Sequence, residues 1–310
     1  MSLLARCLVG LALLAILCAS GIGLLQAGVY GLTVFVVHPA LLGGLACWIV
    51  RPATGNGAAG IGLLSVILAS GLLLFSRIEG LVCLAMCLPL TMPLGAMGGW
   101  LVYRCEASGR ARRSGLAMLL LLPPASFTWD THARPLVFEV RTAIMIAASP
   151  EQVWRHMAAF SEMPEPREWY FRSGLAYPKL ARIDGTGGVG ATRTCEFSTG
   201  RVVESIEVWD EPRTLRFRVT ENPAPMREWS PYGEISPKHL HGYLISREGQ
   251  FRLTRSPGNH TLLEGTSWYQ HGLWPAEYWR WWSDAIIHRI HLRVFKQIKT
   301  LAEALSLIHI

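Results

Sequence analysis

The first hundred residues have almost no polar punctuation. Between Arg6 and Arg51 lie 44 residues without a single Lys, Arg, Asp or Glu. A transmembrane helix needs about 20 apolar residues, so this stretch holds two. The cluster of Gln, Gly and Tyr at Gln26–Tyr30 marks the break between them. RPATGNG follows as a turn-forming linker, and a third span runs from Ala58 to Phe75. Arg77 and Glu79 mark the next loop, and a fourth span runs from Leu81 to Tyr103. Pro89 and Pro93 are expected to kink that helix, which neighbouring helices tolerate in lipid. One more apolar run, GLAMLLLLPPASFTW (115–129), has only about 8–10 helix-forming residues before Pro123-Pro124. Its length suits an interfacial or re-entrant segment.

From Arg134 the period changes. PLVFEVRTAIMI is strand-like, with imperfect alternation. In SPEQVWRHMAAF, Ser149 is placed as an N-cap, Pro150 at the first helical position, and Glu151 and Gln152 in the first turn. PREWYFRSGLAYP reads as a second short helix. The runs KLARID, ATRTCEFST, RVVESIEVW, TLRFRVT, GYLISREGQFRLT and TLLEGTSWYQHGL read as strands, separated by turns at GTGGVG, STG, DEP and SPGN. A long helix closes the pattern from Ala276 to Ala304. A sheet of this kind buries one face, and the last helix is the element available to cover it, leaving a cavity between them.

The predicted fold class is therefore an α-helical transmembrane bundle of four spans, five if 115–129 crosses, plus an α+β domain. In that domain an antiparallel sheet wraps a long C-terminal helix. The bundle is expected in 1–105, the basic loop, short apolar segment and linker in 106–133, and the second domain in 134–304. Residues 305–310 read as a non-native tail, because ALSLIHI drops the amphipathic pattern for a bare apolar run.

Charge sharpens this division. The net charge is +7. Up to Thr128 there are seven Arg, no Lys and two acids, whereas from Trp129 onward 22 basic residues meet 20 acidic ones. The second half lacks the basic face that nucleic-acid binding would need. RCEASGRARR (104–113) carries four Arg against one Glu, so it is expected on the cytoplasmic side. Counting back places the N-terminus and Arg51 there too, and the Arg77/Glu79 loop outside. The first segment lacks an A-x-A cleavage site and reads as an uncleaved anchor. No charged relay crosses the bundle, which argues against an ion or proton transporter. The side occupied by the second domain depends on 115–129.

Within the bundle, His38 is a candidate because ionisable groups at depth are often functional; a neutral helix-packing His is the other reading. Gly95 and Gly99 form a GxxxG pair, read either as a dimer seam or as packing within the bundle. Five of the seven Cys lie in apolar runs, where Cys behaves as a small hydrophobe, and no CxxC pattern appears. No metal and no other cofactor is expected.

Candidate chemistry concentrates near the last helix. At about 100° per residue, Ile287, Ile290, Val294, Ile298 and Leu301 share an arc. Asp284, His288, His291 and Glu277 lie on or beside it. Buried charge is costly unless paired, so Asp284, His288 and His291 are candidates for a polar end of the cavity and for acid–base work. The plainer reading is a hydrogen bond that fixes helix against sheet. His239 and His241 add imidazoles, but Asp284 and His291 are ~10.5 Å apart along the axis, too far to share one ion easily. Trp268, Tyr269, Trp274, Tyr278, Trp279, Trp281 and Trp282 fall within fifteen residues. They suit a pocket wall, a bilayer-docking belt or ordinary core. The Pro-rich connection 221–243 is long enough to suggest a lid. MPEPREW (163–169) borders the same opening on this reading. The full set of candidate ligand contacts is Glu168, Trp169, Arg172, His241, Tyr269, His271, Trp281, Asp284, His288 and His291.

The opening strand before SPEQVW, the block GVGATRTCEF…VVESIEVWDEPRTLRFRV and the closing SPGNHTLLEGTSWY with its helix resemble the START-like superfamily. This is the polyketide cyclase/dehydrase and lipid-transport type, also called the helix-grip fold. The likeness covers about residues 136–303. The fused bundle resembles a bacterial subset of that superfamily, which implies an inner-membrane location. The resemblance implies a hydrophobic ligand (lipid, isoprenoid or polyketide-like) and the lipid bilayer as partners, and it identifies no protein partner. It carries over no catalytic residues, because its enzymes share no motif that maps here, and no nucleophile elbow, P-loop or dinucleotide fingerprint occurs. A cyclase or hydrolase using Asp284, His288 and His291, and a membrane-tethered sensor or scaffold, stand as the alternatives.

Overall fold

A computed structural model describes residues 2–107 and 111–307; for 111–120 and 305–307 it describes the helical backbone alone. Most of the Arg cluster used for orientation (110, 112 and 113) and the tail from 308 lie outside the described side chains or residues. The chain forms two compact units. One comprises Met1–Arg134, Glu228–His239 and Gly272–Pro275; the other comprises Pro135–Arg227, Leu240–His271 and Ala276–Ile310.

In the first unit, α1 (Leu3–Gln26), α2 (Thr33–Val50, opening on a π-turn), α3 (Gly55–Phe75) and α4 (Leu81–Ala107) are each long and apolar enough to cross a membrane. Ser2 and Thr54 cap α1 and α3, their hydroxyls accepting from the backbone N–H groups of Ala5 and Gly57. The glycines bring α2, α3 and α4 into backbone contact. A Cβ on Gly43 or Gly62 would collide with the Gly95 carbonyl, and one on Gly99 with that of Ala58. The GxxxG pair is thus used within the bundle. His38 bridges the Ser20 hydroxyl and the Thr33 carbonyl, at 3.0 Å each, which is a helix-packing role.

Buried Arg6 closes one end of this bundle, donating to the Trp48 carbonyl at 2.7 Å and pairing with Glu106 at 2.9 Å. At the other end stands the last turn of α5 (Ala111–His132). There Asp130 accepts from the N–H groups of Leu32 and Thr33, at 2.7 and 2.9 Å, and caps α2. The helix does not stop at Pro123-Pro124, which corrects the short-segment expectation. The hydroxyls of Ser126 and Thr128 donate to the carbonyls of Pro123 and Pro124, at 3.0 and 2.8 Å, so hydroxyl donors one turn on supplement the backbone ladder around the prolines.

The second unit holds a seven-stranded antiparallel sheet. Its strands are β1 (Val137–Ile146), β2 (Pro178–Ile183), β3 (Thr192–Phe197), β4 (Gly200–Asp210), β5 (Thr214–Glu221), β8 (Leu244–Ser256) and β9 (His260–His271). They are ordered β1-β9-β8-β5-β4-β3-β2. Register shifts at Val203/Glu204, Ile206/Val208 and Ser246/Glu248 bend and twist the strands locally. Helix α6 (Pro150–Ala158) opens on a capping box between Ser149 and Gln152, and α7 (Trp169–Arg172) is a single turn. The long α8 (Ala276–Leu307) packs on the sheet. Ile146, Val153, Met157, Leu215, Leu263, Phe295 and Ile298 are sealed from solvent in this core. Gly265 leaves the space that the Phe295 ring fills.

The connection 221–243 is not a simple lid. It contains the hairpin β6 (Glu228–Ser230) and β7 (Gly233–Ile235) and a 3-10 turn (Lys238–Leu240), and its residues 228–239 belong to the helical unit. The hairpin's backbone finds partners within its own ribbon, which a featureless loop of this length could not provide.

Candidate cavity in the sheet-and-helix domain

The face that α8 buries is centred on His291, Val294, Phe295, Ile298 and Ala302. It is turned by a fraction of a helical turn from the expected arc, so Ile287 and Ile290 are only half-buried. They face a cavity of about 180 Å³, lined by strands β3, β4, β5, β8 and β9, by Asn222–Pro225 and by α8. One water needs ~10–15 Å³, so the space exceeds a single solvent site by an order of magnitude. Phe217, Val219, Phe251, Ile287, Ile290 and Val294 give it apolar walls.

Asn222, Ser246, Gln250, Thr266 and Ser267 also line it, and two buried polar clusters interrupt the apolar walls. At α8, the Nδ1 of His291 meets the Thr142 hydroxyl at 3.0 Å and its Nε2 meets the Ser267 hydroxyl at 2.8 Å. Burial, with a smaller contribution from the His288 charge, holds the His291 imidazole down at about 4. It is therefore neutral near pH 7, and both ring nitrogens are satisfied by hydroxyls that can donate or accept. On the sheet, Arg193 of β3 and Glu204 of β4 sit directly opposite each other and form a buried ion pair. Arg193 also donates Nε to the Ala158 carbonyl at 2.9 Å and lies over the Phe217 and Phe251 rings, 5.5 and 5.7 Å from their centroids. Burial pushes the Glu204 carboxyl up, against the pull of the guanidinium. Burial likewise lifts the Cys195 thiol to about 12, so it is no nucleophile.

The residues named from the sequence are placed as follows. Tyr269 and His291 line the cavity. The fully buried Tyr269 donates its hydroxyl to Asp284; burial and then this carboxylate raise its phenol, which keeps the proton. Asp284 is half-buried beside the cavity and pairs with Arg280 at 3.3 Å. His288 is exposed and shares the Thr142 hydroxyl with His291, at 2.8 Å. The acid–base trio is thus divided, with His291 alone on the cavity wall. His271 is buried and stacks on Phe138, ring centroids 5.0 Å apart. Trp169 and Trp281 are 76% and 64% exposed, and Arg172 and His241 are exposed as well. Glu168 precedes the single turn of α7 and is half-buried. None of these last five lines the cavity.

Arg193 and Glu204 were not singled out from the sequence, although a signal was present. In Val202–Glu204–Ile206 and Arg193–Cys195–Phe197 the charge sits at period two among apolar residues, on the face a strand buries. Opposite charges on two such faces joined by a tight turn point to a cross-strand pair.

Residues 137–268 match the family model described as polyketide cyclase / dehydrase and lipid transport. The second unit has the helix-grip arrangement, a curled antiparallel sheet of seven strands with a long C-terminal helix. Solved structures that resemble it include a norcoclaurine synthase point mutant from Thalictrum flavum, with 11% identity, 56% of this chain and 99% of that chain covered, and a TM-score of 0.35. Another is the Zhui aromatase/cyclase from Streptomyces sp. R1128, with 14% identity, coverage of 54% and 94%, and a TM-score of 0.35. A third is a protein from Thermus thermophilus, with 16% identity, coverage of 55% and 99%, and a TM-score of 0.35. No curated protein matches the chain.

Proposed function

We propose that the protein is a membrane-anchored module that holds a hydrophobic small molecule in the cavity of its helix-grip domain. The observation that carries this reading is an apolar-walled space with few, fixed polar groups, the usual make-up of a ligand site. Phe217, Val219, Phe251 and Ile290 supply apolar area; Arg193, with its pair Glu204, and neutral His291 supply orientation. The ligand class is an apolar skeleton carrying one or two oxygen functions, of lipid, isoprenoid or polyketide type. An acid–base enzyme would rest on His291 and Tyr269, because Asp284 and His288 lie off the cavity wall.

An apolar, environment-sensitive fluorophore titrated into the full chain in detergent tests the reading. Ile290→Trp fills the domain cavity, whereas Leu42→Trp fills the separate cavity inside the helical unit. Dye uptake lost tenfold or more with Ile290→Trp and kept with Leu42→Trp supports the domain site. Uptake indifferent to Ile290→Trp sinks it.

The same reading includes a sidedness. The 22 residues of α5 extend about 33 Å, against a hydrocarbon core of about 30 Å. The Asp130 end of α5 caps the start of α2, at the bundle end opposite the Arg6–Glu106 pair. Five crossings from a cytoplasmic N-terminus put residues from 137 onward outside the membrane. A membrane-impermeant maleimide on exposed Arg247→Cys checks this. Labelling in intact spheroplasts is expected, and labelling only after lysis would contradict it.

A further inference from the structure

In the helical unit, three donors of different chemistry converge beneath the β6–β7 hairpin. A carboxylate oxygen of Glu79, the thiol sulfur of Cys83 and a ring nitrogen of His239 all lie within 4.8 Å of one another, and all three residues are buried. We propose that they form a binding site for a divalent transition metal, with Zn²⁺ as the preferred ion. Carboxylate, thiolate and imidazole together are the ligands of a borderline-soft ion. Bonds of ~2.0–2.3 Å in a tetrahedron hold ligand atoms ~3–4 Å apart. The Nδ1 of His239 stands 3.2 Å from the Oε2 of Glu79.

The surroundings are arranged as an outer shell. Tyr30 donates its hydroxyl to the Oε1 of Glu79 at 2.6 Å, which turns Oε2 toward His239. Glu228 is fully buried and accepts from the N–H groups of Val82 and Cys83, at 3.1 and 2.7 Å, at the start of α4. Its approach depends on Gly80, where any Cβ would collide with the Glu228 side chain. The Oε1 of Glu228 lies 3.8 Å from the Nε2 of His239. At that distance it is a charge contact, longer than a hydrogen bond, and Nδ1 is the ring nitrogen that faces Glu79.

Polar satisfaction points the same way. The Oε2 of Glu79 and both ring nitrogens of His239 are buried and make no well-aligned hydrogen bond; Oε2 and Nδ1 only face each other at 3.2 Å, a state that leaves buried polar atoms short of partners. Two buried carboxylates and a thiol around one imidazole also favour an added positive charge. Three protein ligands leave a fourth position for water or a small ligand, and Glu79 and Cys83 also line the cavity of the helical unit. The site stands independently of the domain-cavity reading.

The test uses the full, tag-free chain in detergent, produced with added zinc and dialysed against a weak chelator. Elemental analysis is expected to find about one zinc per chain, and Co²⁺ exchange is expected to give a thiolate-to-cobalt charge-transfer band. Cys83→Ser is expected to abolish the band and His239→Gln to abolish retention, with Cys18→Ser as the unaffected control. Glu228→Gln is expected to weaken retention by about 10–100-fold. Wild-type protein that retains no stoichiometric zinc, that shows no thiolate band with cobalt, or whose band survives Cys83→Ser overturns the site. The wild-type cobalt spectrum decides the question even if a variant fails to fold.

Discussion

His291, at the centre of the buried face of α8, sets an acid limit on the helix-grip domain. Its folded value of about 4 lies below the ordinary 6.5, so below pH 6.5 the unfolded chain binds a proton that the folded one refuses. Stability therefore rises with pH through this window. It is fully present above pH 6.5 and falls as pH drops toward 4, by up to about 3 kcal/mol at 1.36 kcal/mol per unit. Thermal melts at pH 7.0 and 4.5 are expected to show this loss for the wild type and a flatter response for His291→Gln. An equal acid response in both proteins would assign it to another group. Residue placement was only partly legible in the sequence. Helical periodicity picked out His291, but the 3.6-residue repeat tolerates an error of a fraction of a turn, enough to leave His288 exposed and Asp284 beside the cavity. Arg193 and Glu204 escaped notice because their significance depends on the β3–β4 register, which the hydrophobic pattern does not state outright.

Elements were far more legible than contacts. The four apolar spans and the seven strands of the sheet follow directly from hydrophobic run length and from alternation between turn residues. Two elements did not. The β6–β7 hairpin lies among prolines and has too few residues for alternation to register. Helix α5 continues through a proline pair, where local preference argues for a stop. In the bundle, the sequence left the partner of Gly95 open, and the structure assigns it to Gly43 and Gly62. Gly95→Leu is therefore expected to force α4 away from α2 and α3, costing about 3 kcal/mol or more by over-packing. It is expected to lower the melting temperature in detergent by several degrees. Gly71→Leu, where a Cβ meets nothing within 4 Å, is expected to leave it unchanged. A similar loss at both positions would mean that the effect is not one of helix contact.

At the scale of the whole molecule, apolar sequence serves two purposes. In the first unit it forms helices suited to a bilayer, and in the second it forms a sheet and helix that enclose a cavity while the domain's surface remains charge-balanced. On the proposed reading, a helix-grip domain tethered to a bilayer suits a ligand that partitions into lipid, since apolar surface removed from water contributes about 25 cal/mol per Å². The most direct test is native mass spectrometry of the full chain released from mild detergent. The account predicts a stoichiometric adduct with the mass of a lipid, isoprenoid or polyketide-like molecule, present in the wild type and in Leu42→Trp and lost in Ile290→Trp. Wild-type protein that is consistently free of any adduct, or an adduct that persists in Ile290→Trp, would contradict it.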